Sequence, residues 1–168
     1  MFERVVIGVD PGVAATGLAV LGDDGGRRSV IGAQTIRTPA GAPEAGRLRA
    51  LHRAVAEVLS AHRPEAVALE RLMWGRNVGS AMSVARASGV AMLAAAEAGV
   101  PVHEYAPLEV KMAVTGNGAA RKEDVRRALS RIHGLDGVPE DPDAADAVAV
   151  AVCHLQTARS LRAAGAGR

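Results

Sequence analysis

Aromatic side chains are nearly missing: Phe2, Trp74 and Tyr105 are the only three in 168 residues. The core must then be built from Val, Leu, Ala and Met, which favours close contact between small side chains. Cysteine is scarcer still. Cys153 stands alone, which excludes an intramolecular disulfide and a thiolate zinc cluster and suits a reducing cytoplasm. No stretch approaches the roughly 20 uninterrupted apolar residues of a membrane helix. The N-terminus enters a strand pattern directly, without the segment order of a signal peptide. The expectation is a soluble, cytoplasmic protein. Its length is that of one domain, expected over 1–160, with a disordered basic tail over 161–168.

Neither sign of charge dominates: 20 Lys and Arg face 18 Asp and Glu, for a net charge of +2. The distribution says more than the total. Residues 71–96 hold Arg71, Arg76 and Arg86 and no acid, and the tail holds Arg159, Arg162 and Arg168 and no acid. Between 106 and 133, Lys111, Arg121, Lys122, Arg126, Arg127 and Arg131 outnumber Glu109, Glu123 and Asp124. This pattern suits a polyanionic partner. It equally suits a set of solvated helix faces.

What is present is a strand-rich start followed by alternation. Val5 to Val9 is a β-branched run closed by Asp10 and a Pro-Gly turn, so it reads as a buried strand. Residues 17–21 and 28–38 read as two more strands, separated by the turn Asp23-Asp24-Gly25-Gly26. Leu48, Leu51, Val55, Val58 and Leu59 then recur at helical spacing over 44–61. Pro64 ends that helix, because proline disfavours the helical conformation of the residue before it. Strand 66–70, helix 78–98 and strand 101–105 follow, with Gly99 as a helix cap. Short helices are expected over 108–114 and 121–133, and a last one opens with Asp141 as N-cap and Pro142 at its first position. The order βββαβαβ, then helices, defines an α/β fold with a mixed five-stranded sheet flanked by helices.

Four acids carry the chemistry. Asp10 and Glu70 each end an apolar strand, where a carboxylate must be hydrated, paired or bound to a cation. If strand four lies beside strand one, the two become neighbours. Asp143 and Asp146 stand three apart at a helix start and so share a face. Laid against the sheet, that face brings four carboxylates into one pocket. Oxygen ligands of this kind suit magnesium, with manganese as a substitute. Two ions about 4 Å apart can activate water and stabilise the leaving oxygen in attack on a phosphodiester. Asp10, central in the set, is the expected bridging ligand. Each acid alone has a plainer role. Asp10 can form a turn, Glu70 can pair with Arg71 or Arg76, and Asp143 and Asp146 can complement a helix dipole.

Several ordered motifs carry a family resemblance. They are Val6-Ile7-Gly8-Val9-Asp10-Pro11-Gly12 with Thr16-Gly17, and Ala68-Leu69-Glu70 with Asn77. They continue with Glu109-Val110-Lys111, residues 114–118 and Lys122, and end with Asp143-Ala144-Ala145-Asp146-Ala147 and Cys153-His154. Together they resemble the RuvC family of Holliday-junction resolvases over nearly the whole chain. The resemblance implies an RNase H-like fold and a homodimer. It also implies paired, symmetric nicks on two strands of like polarity in a four-way DNA junction, in recombination and repair. A two-fold dimer suits a two-fold substrate. A branch-migration motor complex (RuvA–RuvB type) is the implied protein partner.

Carried over by position, the metal ligands are Asp10, Glu70, Asp143 and Asp146. Lys111 and Lys122 contact DNA near the cut, and Lys122 steadies charge developing on the phosphate. Two positions depart from the family. Some members carry histidine where this chain has Asp143. A base-wedging phenylalanine is replaced by Met73, beside Trp74, and either can unstack a base. Met73, Trp74, Arg76 and Asn77 are thus the expected DNA contacts of the loop over 71–77. The helix over 78–98, with Met82, Ala85, Gly89, Met92 and Leu93, is apolar on more than one face. By resemblance it is partly a dimer interface; the other reading is a core helix of a monomer.

Other classes compete. An ATP-handling protein would use Asp10-Pro11-Gly12 and Thr16-Gly17 as a phosphate hairpin, but needs a second lobe for which this length has no room. A non-catalytic junction-binding module would use the basic surface and leave the four acids without a purpose. A nuclease of the same fold acting on another nucleic acid differs only in substrate.

Overall fold

The structure, a computed structural model, describes residues 2–25, 27–72 and 78–165. Strands β1 (Arg4–Asp10), β2 (Ala15–Asp23) and β3 (Arg28–Arg37) form an antiparallel meander. Helix α1 (Glu44–His62) leads to β4 (Ala66–Glu70), which pairs parallel with β1. Helix α2 (Val78–Glu97) leads to β5 (Val102–Tyr105), parallel to β4. The sheet order is β3-β2-β1-β4-β5. Helices α3 (Pro107–Thr115), α4 (Lys122–Arg131) and α5 (Pro142–Gly165) complete the chain.

The central strands bury both faces, which is why they read as continuous apolar runs rather than alternating ones. Along β1, Val6 belongs to a core with α3, α4 and α5, whereas Ile7 and Val9 belong to a core with α1 and α2. This is the two-residue period of a strand. Helix α5 lies between the sheet and helices α3 and α4, and from Ala147 to Leu155 every residue is buried. A helix apolar all round needs cover on every side.

Small residues set how close α5 comes. A Cβ on Gly8 would sit 2.0 Å from the Ala147 carbonyl oxygen, and one on Gly17 would sit 1.9 Å from that of Asp143. Only glycine leaves room for helix backbone against strand backbone. The scarcity of aromatics has the same meaning: a layer this thin is filled by Ala and Val.

Element ends differ from the sequence reading by a few residues, with two instructive cases. At the end of α1, Arg63 adopts a left-handed conformation (φ 44) and its N–H donates to the Leu59 carbonyl. Pro64 bars the helical alternative at that residue. At the C-terminus, α5 continues to Gly165, whereas disorder was expected from 161. The helical run through Ala163 and Ala164 has good intrinsic propensity, which outweighs the glycines. Among the described residues no helix is long and apolar enough to cross a membrane.

Candidate active site

Asp10 and Glu70 close two parallel neighbours, one residue beyond the paired Val9 and Leu69. Strand parity sends both toward α5, the side of Val6, Gly8 and Ala68. Just after Asp10, the Thr16 hydroxyl donates to the Gly12 carbonyl (2.5 Å) and accepts from the Gly12 N–H (3.2 Å). That closed loop explains Thr16 in the first motif: it holds the turn leaving Asp10.

Asp146 arrives from the second turn of α5. The start of that helix is fixed by Asp141, whose Oδ1 accepts the N–H groups of Asp143 (3.2 Å) and Ala144 (3.3 Å). Thr35 and Arg37 of β3 hold the same carboxylate. These bonds keep the Asp141 carboxyl at about 2, below its usual range, with the Thr35 hydroxyl contributing most and Arg37 next. Helix α3 supplies Lys111 and α4 supplies Lys122. Each of these helices is steadied at its start by an acid three residues in. Glu109 accepts from the Ala106 N–H (2.6 Å) and Asp124 from the Arg121 N–H (3.1 Å), half of a capping box in each case.

Asp10, Glu70, Asp146, Lys111 and Lys122 together line one pocket of about 300 Å³. The carboxyl of Asp10 is pushed up to about 8, first by burial and then by the negative charges of Glu70 and Asp146. Burial also raises Glu70, and its hydrogen bond with Asp10 opposes this, so Asp10 is the partner that holds the proton. Lys122 Nζ donates to Asp146 Oδ2 at 2.5 Å, which raises the lysine above its ordinary value. The pocket thus offsets its excess negative charge with a proton and an ammonium group.

Asp143 departs from the expected foursome. It is half-buried one turn before Asp146 but does not line the pocket. Its carbonyl rests over Gly17, while its charge acts on both Lys122 and Arg37. Three residues along a helix bring two side chains to one face but advance about 4.5 Å along the axis. That advance leaves Asp143 at the rim.

As the side chains stand, no three described His, Cys, Asp or Glu residues are grouped closely enough to hold a metal ion. The donor set nevertheless fits one in its chemistry. Three carboxylates share a pocket, and two of them are neutralised by a proton and a lysine that a divalent cation would replace.

The plainer pairing for Glu70 does not occur with Arg71, whose guanidinium donates to the Glu104 carbonyl at 3.3 Å. Met73, Trp74, Arg76 and Asn77 lie outside the described residues. Sequence reasoning passed over Thr35 and Arg37. They lie 106 and 104 residues from Asp141, so no local signal links them to it.

Comparison with known proteins gives a consistent result. The family model for crossover junction endodeoxyribonuclease RuvC matches residues 6–154. A curated relative of that name from Chloroflexus aurantiacus is 42% identical over 159 residues, covering 95% of this chain and 97% of its own. One from Mycobacterium ulcerans is 46% identical over 150 residues, covering 89% and 82%. Among solved structures, Thermus thermophilus RuvC in complex with a Holliday junction substrate aligns with a TM-score of 0.88 at 38% identity, covering 94% of this chain and 96% of that one. With its five-stranded mixed sheet of RNase H-like type and its strand-end carboxylates, the chain belongs to the RuvC family of crossover junction endodeoxyribonucleases.

Proposed function

We propose that the protein resolves four-way DNA junctions as a metal-dependent endonuclease, by paired nicks on strands of like polarity, in recombination and repair. The observation that carries this reading is the pocket itself. Within a chain of this family, it gathers Asp10, Glu70 and Asp146 with Lys111 and Lys122.

Asp10, Glu70 and Asp146 would hold the cations, with Asp143 completing the set from the rim. The ion is magnesium, with manganese as a substitute, and two ions serve each site. Bound there, the metal supplies Lewis-acid activation of water and charge stabilisation at the phosphate. The chain's own residues do the rest. Asp10 would serve as an anionic ligand, since a bound cation would offset the same negative charge that its proton offsets. Lys122, which offsets the charge of Asp146, would steady charge developing on the phosphate. Lys111, which lines the same pocket, holds the DNA backbone. Met73, Trp74, Arg76 and Asn77 contribute further DNA contacts, and Met73 or Trp74 unstacks a base.

Two sites are needed for paired nicks, and a homodimer supplies them. Exposed Met82 (48%), Gly89 and Leu93 (54%) share one face of α2 with Arg86, whose charge is paired with Glu44, and this largely apolar face suits the contact. By family resemblance, the dimer works in the cytoplasm with a branch-migration motor complex.

The Glu70→Gln variant tests the catalytic assignment. It should cut a four-way junction at least about a hundredfold more slowly, at or beyond the upper end of the loss typical of a group that only supports a metal ligand. Junction binding in metal-free buffer should match wild type. Parallel loss of binding and cutting would contradict the assignment, and equal cutting of matched linear duplex would contradict the junction preference.

A further inference from the structure

Beside the carboxylate pocket lies a second concavity of about 480 Å³, between the start of α4 and the first turns of α5. The two share Lys122, Val125 and Asp146, so they adjoin as a trough crossed by the Lys122–Asp146 pair. Its floor is apolar, with Val125 and Ala145 buried and Pro142 beside them. Its rim carries Arg126, four residues after Lys122 and so one turn along the same face of α4.

Arg126 is exposed and makes no ion pair or hydrogen bond among the described residues. Its neighbour Arg127 is held by Glu123 (3.4 Å) and Asp124 (3.8 Å) and faces a different hollow. The sequence presents two adjacent arginines; helix geometry turns only the first toward the site.

We propose that this trough carries the DNA backbone flanking the bond to be cut, with Arg126 contacting a phosphate next to the scissile one. The inference rests on the nuclease reading above and deepens it by giving the strand a path. Deoxyribose rings suit an apolar floor. An unpaired guanidinium at the rim is a bidentate phosphate donor. Glu123 also lines the trough, but its carboxylate is turned to Arg127. Glu140 lines it without an ion-pair partner among the described residues and opposes the strand, limiting binding to DNA that the metal site also holds.

The test measures binding of the full chain to a four-way junction in metal-free buffer across a salt series. It compares wild type with Arg126→Ala, Arg127→Ala and Glu140→Gln, each first checked by thermal melting. Arg126→Ala should weaken binding roughly tenfold, the scale of one charge-assisted contact. Its log–log salt slope should become shallower by about 0.9. Arg127→Ala should change both far less, and Glu140→Gln should tighten binding. Wild-type affinity and slope in Arg126→Ala, equal losses in both arginine variants, or unchanged binding in Glu140→Gln would each overturn the proposal. Wild type that binds no junction would instead overturn the nuclease reading, so the two failures are separately visible.

Discussion

Asp10 concentrates the energetic conflict of this protein in one side chain. Its carboxyl is shifted from 3.8 to about 8 by burial and by two acidic neighbours. Between those values the folded state keeps a proton that the unfolded chain has released. Stability from this group therefore falls as pH rises through that window. Asp10→Asn removes the penalty. In chelator, the variant should melt above wild type near neutral pH, and the gap should close as pH falls toward the ordinary carboxylate range. Calorimetric scans over that range check this; parallel profiles would contradict it. Magnesium should raise the melting temperature of wild type more than that of the variant, because a ligand of the native state stabilises it by mass action. Asp10 was legible from its place at the end of an apolar strand. The proton it holds was not, because that depends on Glu70 and Asp146 arriving from distant segments.

Among the elements, α5 decides the site, since it carries Asp143 and Asp146 across the sheet. Its start was readable in Asp141-Pro142, an N-cap followed by proline at the first helical position. Its height above the sheet was not readable. That is set by Gly8 and Gly17, whose missing side chains let the Ala147 and Asp143 carbonyls come down. Gly17→Ala should destabilise the protein by about 1–3 kcal/mol, the range for overpacking. It should also reduce cutting beyond the loss of folded protein, because Asp143 and Asp146 must move with the helix. Gly32→Ala on β3 is the control, since a Cβ there meets nothing within 4 Å. Urea melts and cleavage of both variants under native conditions provide the check; a stable, fully active Gly17→Ala would remove the close seat of α5 from the account.

At the scale of the whole molecule, α2 has one covered face and one exposed face. Its inner face, with Ala87, Ala91, Ala94 and Ala95, is buried against the sheet and α1. The outer stripe of Met82, Gly89 and Leu93 stays exposed in one chain. Leu93→Glu places a charge in that stripe without touching the core. Under the proposed homodimer, wild type should sediment as a dimer and the variant as a monomer in analytical ultracentrifugation. On junctions it should give single unpaired nicks instead of resolution, because each copy supplies one cutting site. A dimeric, fully resolving Leu93→Glu would place the subunit contact elsewhere.

The sequence by itself determined which elements form, in what order, and which carboxylates end strands or open a helix. Strand runs, helical spacing, prolines and caps act over a few residues, so their signals are local. It also carried the family, because motifs at fixed intervals survive in the linear chain. Tertiary structure alone decided the convergence of Asp10, Glu70 and Asp146 and the displacement of Asp143 to the rim. It also paired Lys122 with Asp146 and turned Arg126, not Arg127, toward the site. These depend on helix axes crossing a twisted sheet at backbone contact, where an advance of a few ångströms along a helix decides whether a side chain lines the pocket or stands beside it.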